Sequence, residues 1–228
     1  MKTLFDETDF RAAYRWSGQR QVGARKVVTA SKKTTKGYFA SMKMQGQIPY
    51  ESTLERRALS LFEVDPAVRE IYAQPEEMRL NIDGTSSKHF PDFRLVRTER
   101  DGFVEVKPSR KAEQDDYGAM FEAARKEAAK RSLDYFVLTE KEIERQPRLD
   151  TAEIILRYAA RWIDDTIAAD LRKALFDGDK TVDELVRGDQ MRWQVLAGLI
   201  ARSRVSIDWW QPFSGQSLVA FVPRGGER

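Results

Sequence analysis

Two carboxylates and a lysine near the middle of the chain have the residue types and spacing of a metal-dependent hydrolytic site. Asp92 follows Pro91 at the start of one apolar run, and Glu105 and Lys107 lie two residues apart in the next run. Side chains alternate between faces along a strand, so Glu105 and Lys107 share a face, and Asp92 can approach them if the runs pair. Carboxylates this close repel each other unless a cation lies between them, and such oxygen ligands suit Mg²⁺ or Mn²⁺.

The chemistry that this pattern predicts is hydrolysis by a metal-bound water. The ion would be held by Asp92, Glu105 and the backbone carbonyl of Val106, and Lys107 would orient or deprotonate the attacking water. A solvated hairpin with ordinary surface charges fits the same short pattern, so both interpretations stand at this point.

A third acid comes from a helix that the sequence predicts over residues 52–63. Ser52 and Glu55 have the spacing of a capping box, and Glu55 lies beside the apolar stripe of the helix. Glu55 is therefore either part of the helix cap or a third metal ligand, and the pattern does not choose between them. Glu51 is the alternative acid.

The composition narrows the chemistry further. The 228 residues include no cysteine and one histidine, which excludes a cysteine nucleophile and argues against a structural zinc site. A Ser-His-Asp triad could use only His89, and the sequence has neither a nucleophile elbow nor a phosphate-binding glycine loop. No apolar run is long enough to span a membrane, and the absence of cysteine fits a cytoplasmic protein.

Basic residues concentrate in a predicted N-terminal arm over residues 1–48. Residues 1–50 carry a net charge of +7, whereas the rest of the chain sums to −4. This asymmetry predicts either a phosphate-rich partner such as DNA or simply a soluble tail. The residues predicted to contact nucleic acid are Arg25, Lys26, Lys32, Lys33, Lys36 and Lys43.

The elements that must position the acids form an α/β pattern between residues 49 and 147. After the helix over 52–63, the patterns predict strands over 68–73, 78–82, 93–96 and 103–106, then a helix over 112–131 and a strand over 134–139. This order predicts a mixed sheet flanked by helices. Residues 17–46 are expected to form an extended, irregular arm, and residues 83–87 a turn.

The composition from residue 148 onwards becomes helical. Predicted helices over 151–168, 181–186 and 189–202 precede predicted strands over 205–209 and 217–222, which is the winged-helix arrangement. Such a module binds DNA or protein. Its third helix region is only moderately basic, which favours protein docking or a mixed role, and its polar candidates are Arg192, Gln194, Arg202 and Arg204.

Taken together, these segments resemble the TnsA family of transposon endonucleases, which carry the PD-(D/E)xK restriction-nuclease fold. The resemblance covers roughly residues 30 to 145 and extends more weakly to the C-terminus. The segments that carry it are Lys36–Lys43, Tyr50–Glu55, Phe62–Pro66, Gln74-Pro75, Phe90–Phe93, Glu105–Pro108 and Thr139–Ile143.

The resemblance implies catalytic roles for Glu55, Asp92, Glu105 and Lys107. Some family members have glutamine at the position of Glu105, where this chain has the acid of the general nuclease pattern. The implied activity is Mg²⁺-dependent cleavage of double-stranded DNA at the 5′ ends of a transposon. A TnsB-like transposase that cuts the 3′ ends and a TnsC-like AAA+ ATPase, contacted by the C-terminal segment, are the implied partners.

Three other functions fit parts of the same sequence. The fold could serve as a catalytically silent module that binds nucleic acid or a partner. Residues 150–228 could be the core of a transcription regulator. The chain could also be a free-standing restriction-like nuclease, because a fold does not fix a role.

Overall fold

The computed structural model describes residues 19–24, 35–159 and 162–222 of the chain. The first part of the described chain is mostly strands, namely β1 (Gly37–Ser41), β2 (Gly46–Tyr50), α1 (Thr53–Val64), β3 (Val68–Ala73), β4 (Met78–Ile82), β5 (Thr85–His89), β6 (Phe93–Arg97) and β7 (Gly102–Val106). The rest is mostly helical, namely α2 (Ser109–Ala112), α3 (Asp115–Ala129), β8 (Asp134–Leu138), α4 (Glu140–Ile143), α5 (Arg148–Tyr158), α6 (Asp165–Phe176), β9 (Lys180–Thr181), α7 (Val182–Val186), α8 (Gln190–Ala201), β10 (Val205–Ile207) and β11 (Leu218–Phe221).

A four-stranded mixed sheet in the order β3-β6-β7-β8 forms the centre of the first part. The neighbouring pairs β3–β6 and β6–β7 are antiparallel, whereas β8 runs parallel to β7 after the α3 crossover. All four strands were predicted from the sequence, and the mixed α/β class is confirmed.

Alternation along β7 separates two apolar cores. Val104 and Val106 pack with α1, β3 and β6, whereas Phe103 packs with α3, β4 and Tyr135 of β8. The alternation predicted for this strand is therefore confirmed. Glu105 and Lys107 belong to the Phe103 side, at the end of the strand.

Two hairpins were missed by the sequence patterns. The predicted irregular arm is wrong from Gly37 onwards, because β1 and β2 pair in register from Gly37↔Tyr50 to Ser41↔Gly46 and bury Ile48 against α1. The predicted turn over residues 83–87 is also too long, since β5 pairs with β4 from Thr85. The missed strands β1, β2 and β5 are rich in small or polar residues, so hydrophobic alternation gave little signal.

The buried acid Glu63 of α1 fastens the β1–β2 turn to the helix. Its side chain is fully buried and accepts hydrogen bonds from Ser41 Oγ at 2.7 Å, Met42 N at 2.7 Å and Lys43 N at 2.9 Å. Burial raises the pKa of Glu63, and these hydrogen bonds oppose that rise. The carboxylate thus satisfies backbone N–H groups that would otherwise be buried without acceptors.

We expect Glu63→Ala to lower the free energy of unfolding by about 3 kcal/mol, because it leaves two backbone donors without acceptors and opens a cavity. Urea unfolding of the full chain measures this. Glu144→Ala is the matched control, since Glu144 pairs with Arg57 at the surface and should change stability by less than ~1 kcal/mol. Equal losses in the two variants would contradict a structural role for Glu63.

The C-terminal helices and strands form a further apolar core. α6, α7 and α8 pack with a three-stranded sheet in the order β10-β11-β9, and residues 195–201 of α8 are buried throughout. The predicted helix over 151–168 is in fact two helices, because α5 ends at Tyr158 and α6 begins at Asp165. α5 contributes Leu149 and Ala152 to the first core and Ile155 to this one, so the domain boundary at residue 147 stays a prediction.

Among the described residues, no helix combines the length and apolarity needed to cross a lipid bilayer.

Candidate active site

Asp92 lies where the pairing of β6 with β7 stops. The ladder ends at Phe93↔Val104, and beyond it the backbone N–H of Val106 donates to Asp92 Oδ2 at 2.8 Å. Pro91 has no N–H to extend the ladder, so the carboxylate takes the place of the next strand residue. The N–H and C=O of a strand residue point to the same edge, so the Val106 carbonyl also faces this side.

Only one of the two carboxylate oxygens of Glu105 is paired with Lys107. Its Oε1 lies 2.6 Å from Lys107 Nζ, and the residue is 2% exposed. Its Oε2 is buried and has no hydrogen-bond partner among the described residues, the imidazole Nε2 of His89 being 3.6 Å away. Burial raises the pKa of Glu105, and the positive charge of Lys107 opposes this rise.

The amine of Lys107 is a cation rather than a base in this arrangement. Burial alone would lower its pKa, but the negative charges of Asp92 and Glu105 outweigh burial and raise the pKa above its ordinary value. Of the two roles predicted for Lys107, the geometry therefore favours orienting a nucleophile and offsetting phosphate charge over removing a proton.

Glu55 projects from the first turn of α1 and makes the bonds of a helix cap. Its carboxylate accepts from Glu51 N at 2.8 Å and Ser52 Oγ at 2.9 Å, while Ser52 Oγ accepts from Glu55 N at 3.1 Å. Burial and the nearby negative charge of Asp92 raise the pKa of Glu55 to about 7. The capping interpretation is thus correct, and the same carboxylate also lies within electrostatic range of Asp92.

Asp92 is the centre of the acidic cluster. Burial raises its pKa most, the negative charges of Glu105 and Glu51 raise it further, and Lys107 and the Val106 N–H oppose the rise. The structure therefore brings Asp92, Glu105 and Lys107 together at one end of the sheet, with Glu55 within electrostatic range of Asp92. The assignment of Glu55 as a metal ligand stays a prediction.

Glu51, which the sequence suggests only as the alternative acid, lies beside the site together with Lys36 and Gln74. Lys36, which had been assigned to the DNA-binding arm, has its Nζ 2.9 Å from Glu51 Oε1. Gln74 Nε2 donates to Glu51 Oε2 at 3.2 Å. Two sequence signals point to these residues. One is the E-S-x-x-E spacing, in which Glu51 is the alternative acid, and the other is the Gln74-Pro75 pair at the end of a strand.

His89 and Tyr135 close the opposite side of the site. His89 Nε2, from β5, lies 2.8 Å from the hydroxyl of Tyr135 in β8 and 3.6 Å from Glu105 Oε2. Burial and the positive charge of Lys107 lower the pKa of His89 to about 4, so the imidazole is neutral at pH 7. Burial and the charges of Glu105 and Asp92 raise the pKa of Tyr135. The sequence analysis names His89 only as the possible histidine of a Ser-His-Asp triad, and the contacts of His89 with Tyr135 and Glu105 do not form one.

The chemistry of these donors fits a divalent cation. The side chains of Glu51, Glu55, Asp92 and Glu105 share the site with two described ammonium groups, on Lys36 and Lys107, which leaves an excess of two negative charges when all are ionised. The buried Glu105 Oε2 also lacks a donor. Among the described residues, however, no three acidic or histidine side chains form a ready-made cage. Glu55 would have to leave its cap bonds to join one.

The remaining residues predicted to bind nucleic acid divide into two groups. Lys43 donates to the backbone carbonyls of Asp65, at 2.5 Å, and Val68, and burial lowers its pKa. This geometry disfavours Lys43 as a DNA contact, because its ammonium fastens the β1–β2 turn to the end of α1. The other four lie outside the described residues, namely Arg25, Lys26, Lys32 and Lys33.

The arginines of the third C-terminal helix are engaged within the protein. Arg192 Nη1 lies 2.6 Å from Asp170 Oδ2, and its Nε donates to the Leu185 carbonyl at 2.7 Å. Arg202 Nη1 donates to the Gly198 carbonyl at 3.0 Å. With residues 195–201 buried, α8 does not present a basic face of the kind that reads a DNA groove.

A mixed sheet flanked by helices, with an acidic cluster at the strand ends, fits a nuclease with a restriction-endonuclease-like core. Residues 65–140 match the family model described as TnsA-like endonuclease N terminal. The match confirms the resemblance to the TnsA family and supports a TnsA-family endonuclease of the transposition type. It covers about a third of the chain and includes Asp92, Glu105 and Lys107, but not Glu55. A comparison with curated proteins gave no match.

Proposed function

We propose that this chain is a metal-dependent DNA endonuclease that hydrolyses phosphodiester bonds at the 5′ ends of a transposon during cut-and-paste transposition. The observation that carries the proposal is the clustering of the half-buried Asp92 and the buried Glu105 beside Lys107, with the half-buried Glu55 within electrostatic range of Asp92. The match of residues 65–140 to a TnsA-like endonuclease N-terminal domain supports the same activity.

In this proposal each residue has a defined task. Asp92, fixed by the Val106 N–H, and Glu105, fixed by Lys107, would hold Mg²⁺ or Mn²⁺ together with the Val106 carbonyl. When bound, the ion would supply a water whose pKa falls from 15.7 towards neutrality. Lys107 would orient this water and offset charge on the phosphate. Glu55 would hold or orient the ion from the N-terminus of α1.

Metal affinity should depend steeply on pH if these carboxylates are the ligands. Glu55 has a pKa raised to about 7 by burial and by Asp92, so below pH 7 a proton occupies the position that the cation needs. We expect the Mn²⁺ dissociation constant to rise about tenfold or more from pH 8 to pH 6, as measured by calorimetry in matched buffers. An affinity that does not change over this range would contradict carboxylate ligation.

The proposed substrate is double-stranded DNA carrying transposon ends, and the proposed partners are a TnsB-like transposase and a TnsC-like AAA+ ATPase. The test is cleavage of such a substrate by the full chain with Mg²⁺, with and without the transposase. We expect cuts at the 5′ ends only when the transposase is present. Strong cutting by the chain alone would instead favour a free-standing restriction-like nuclease.

The proposed role of the C-terminal part is docking by a winged-helix-like domain. The order α6, β9, α7, α8, β10, β11 and the engaged arginines of α8 support a protein partner rather than groove reading. Affinities of the full chain for the ATPase and for DNA can be compared by surface plasmon resonance. A loss of DNA affinity in Arg192→Ala would favour a DNA-reading domain and contradict this assignment.

A further inference from the structure

Gln74 is hydrogen-bonded to the backbone of Asp92. Its N–H donates to the Asp92 carbonyl at 2.8 Å, and its own carbonyl accepts from Ala24 N at 2.8 Å. The residue is 6% exposed and its backbone has a φ of 41°, in the left-handed region that non-glycine residues seldom adopt. Backbone strain of this kind persists only where the surroundings hold it, and it is common at functional sites.

The orientation of the Gln74 amide follows from its neighbour. Glu51 is a carboxylate, which accepts but does not donate, so the Gln74 nitrogen must be the atom that faces it at 3.2 Å. The oxygen Oε1 is therefore turned away from Glu51. It is buried and has no hydrogen-bond partner among the described residues.

Glu51 is itself fixed, and it belongs to the electrostatic field of the site. Lys36 Nζ holds its other oxygen at 2.9 Å, and its negative charge raises the pKa of both Asp92 and Glu55. Gln74 Oε1 is thus a buried acceptor without a donor among the described residues, in a region of excess negative charge. A cation, or a water bound to one, satisfies such an oxygen, whereas an anion does not.

We propose that Gln74 and Glu51 complete the cation site of this nuclease. Gln74 Oε1 ligates the divalent ion or accepts from one of its waters, and Glu51, held by Lys36, fixes the amide in the required orientation. The inference rests on the proposed function and extends it by two residues, because the proposed function assigns to the ion only Asp92, Glu105, the Val106 carbonyl and Glu55. Glu51 acts here as a positioning residue.

Mn²⁺ binding to the full chain, measured by calorimetry without DNA, tests the inference. Gln74→Met keeps the length of the side chain but removes the amide, and we expect it to weaken Mn²⁺ binding about 10- to 100-fold. Glu51→Ala releases the amide and should also weaken binding. The double variant should bind no more weakly than Glu51→Ala alone, since both changes remove one interaction. Gln211→Met, at an exposed glutamine, is the control and should bind as the wild type does.

Asp92→Asn in the same titration distinguishes a failure of the roles proposed for Gln74 and Glu51 from a failure of the proposed nuclease function. If Asp92→Asn weakens Mn²⁺ binding but Gln74→Met and Glu51→Ala do not, the inference about Gln74 and Glu51 is overturned and the proposed function stands. If the wild type itself binds no Mn²⁺, both are overturned. Circular dichroism checks folding, and if Gln74→Met does not fold, Glu51→Ala decides, with wild-type affinity overturning the inference.

Discussion

Asp92→Asn should abolish cleavage of transposon ends while leaving the protein folded. Asparagine keeps the shape of the side chain and an oxygen that can accept from the Val106 N–H, so the strand end stays in place. It removes the negative charge at the centre of the acidic cluster, where the charges of Glu105 and Glu51 already act on Asp92. Because the residue would hold the ion that activates water, we expect the rate to fall about 10³-fold or more.

The measurement for Asp92→Asn is the single-turnover rate of 5′-end cleavage, with Mg²⁺ and the partner transposase present. Asp115→Asn is the matched control, because Asp115 is an exposed acid in the first turn of α3 and should leave the rate unchanged. Cleavage by Asp92→Asn at the wild-type rate would remove the basis for the nuclease assignment. Thermal unfolding of both variants shows whether the fold has survived.

Lys107→Met should separate metal binding from catalysis. The ammonium lies 2.6 Å from Glu105 and carries positive charge into the site, so its removal should leave Mn²⁺ affinity unchanged or tighter. The variant loses the group that orients the nucleophile and offsets phosphate charge, which should slow cleavage about 10²- to 10³-fold. Asp92→Asn, in contrast, should lose both metal binding and cleavage.

Calorimetry with Mn²⁺ and the cleavage assay, run on the same preparation of Lys107→Met, test this separation. Lys111→Met, at an exposed lysine four residues further along the chain, is the control for charge in general. If Lys107→Met weakens Mn²⁺ binding as much as Asp92→Asn does, the lysine supports the fold of the site rather than the reaction. Cleavage at the wild-type rate would also contradict the assigned role.

The part of the site that could be predicted from the sequence lies on two adjacent strands. Asp92, Glu105 and Lys107 were placed together because alternation along β7 and antiparallel pairing with β6 are local properties of a short segment. Strands β3 and β4 and helix α1 were predicted for the same reason, since their apolar spacing matches their secondary structure.

The rest of the site depends on long-range packing that local patterns do not encode. Lys36 and Gln74 meet at Glu51 from positions 15 and 23 residues away in sequence. The contact requires the β1–β2 hairpin, whose small and polar residues gave no clear strand pattern. It also requires the left-handed backbone at Gln74, which the residue types of that segment do not predict. The two interpretations of Glu55 could not be separated by spacing either, because a capping acid at the edge of a site satisfies both.

The most direct measurement is anomalous diffraction from crystals of this protein soaked with Mn²⁺. We expect a peak within coordinating distance, about 2.0–2.4 Å, of carboxylate oxygens of Asp92 and Glu105 and of the Val106 carbonyl. Glu55 and Gln74 should face the same ion, directly or through its waters. A well-ordered crystal with no peak at the ends of β6 and β7, or with the ion bound elsewhere, would contradict a cation site formed by Asp92 and Glu105.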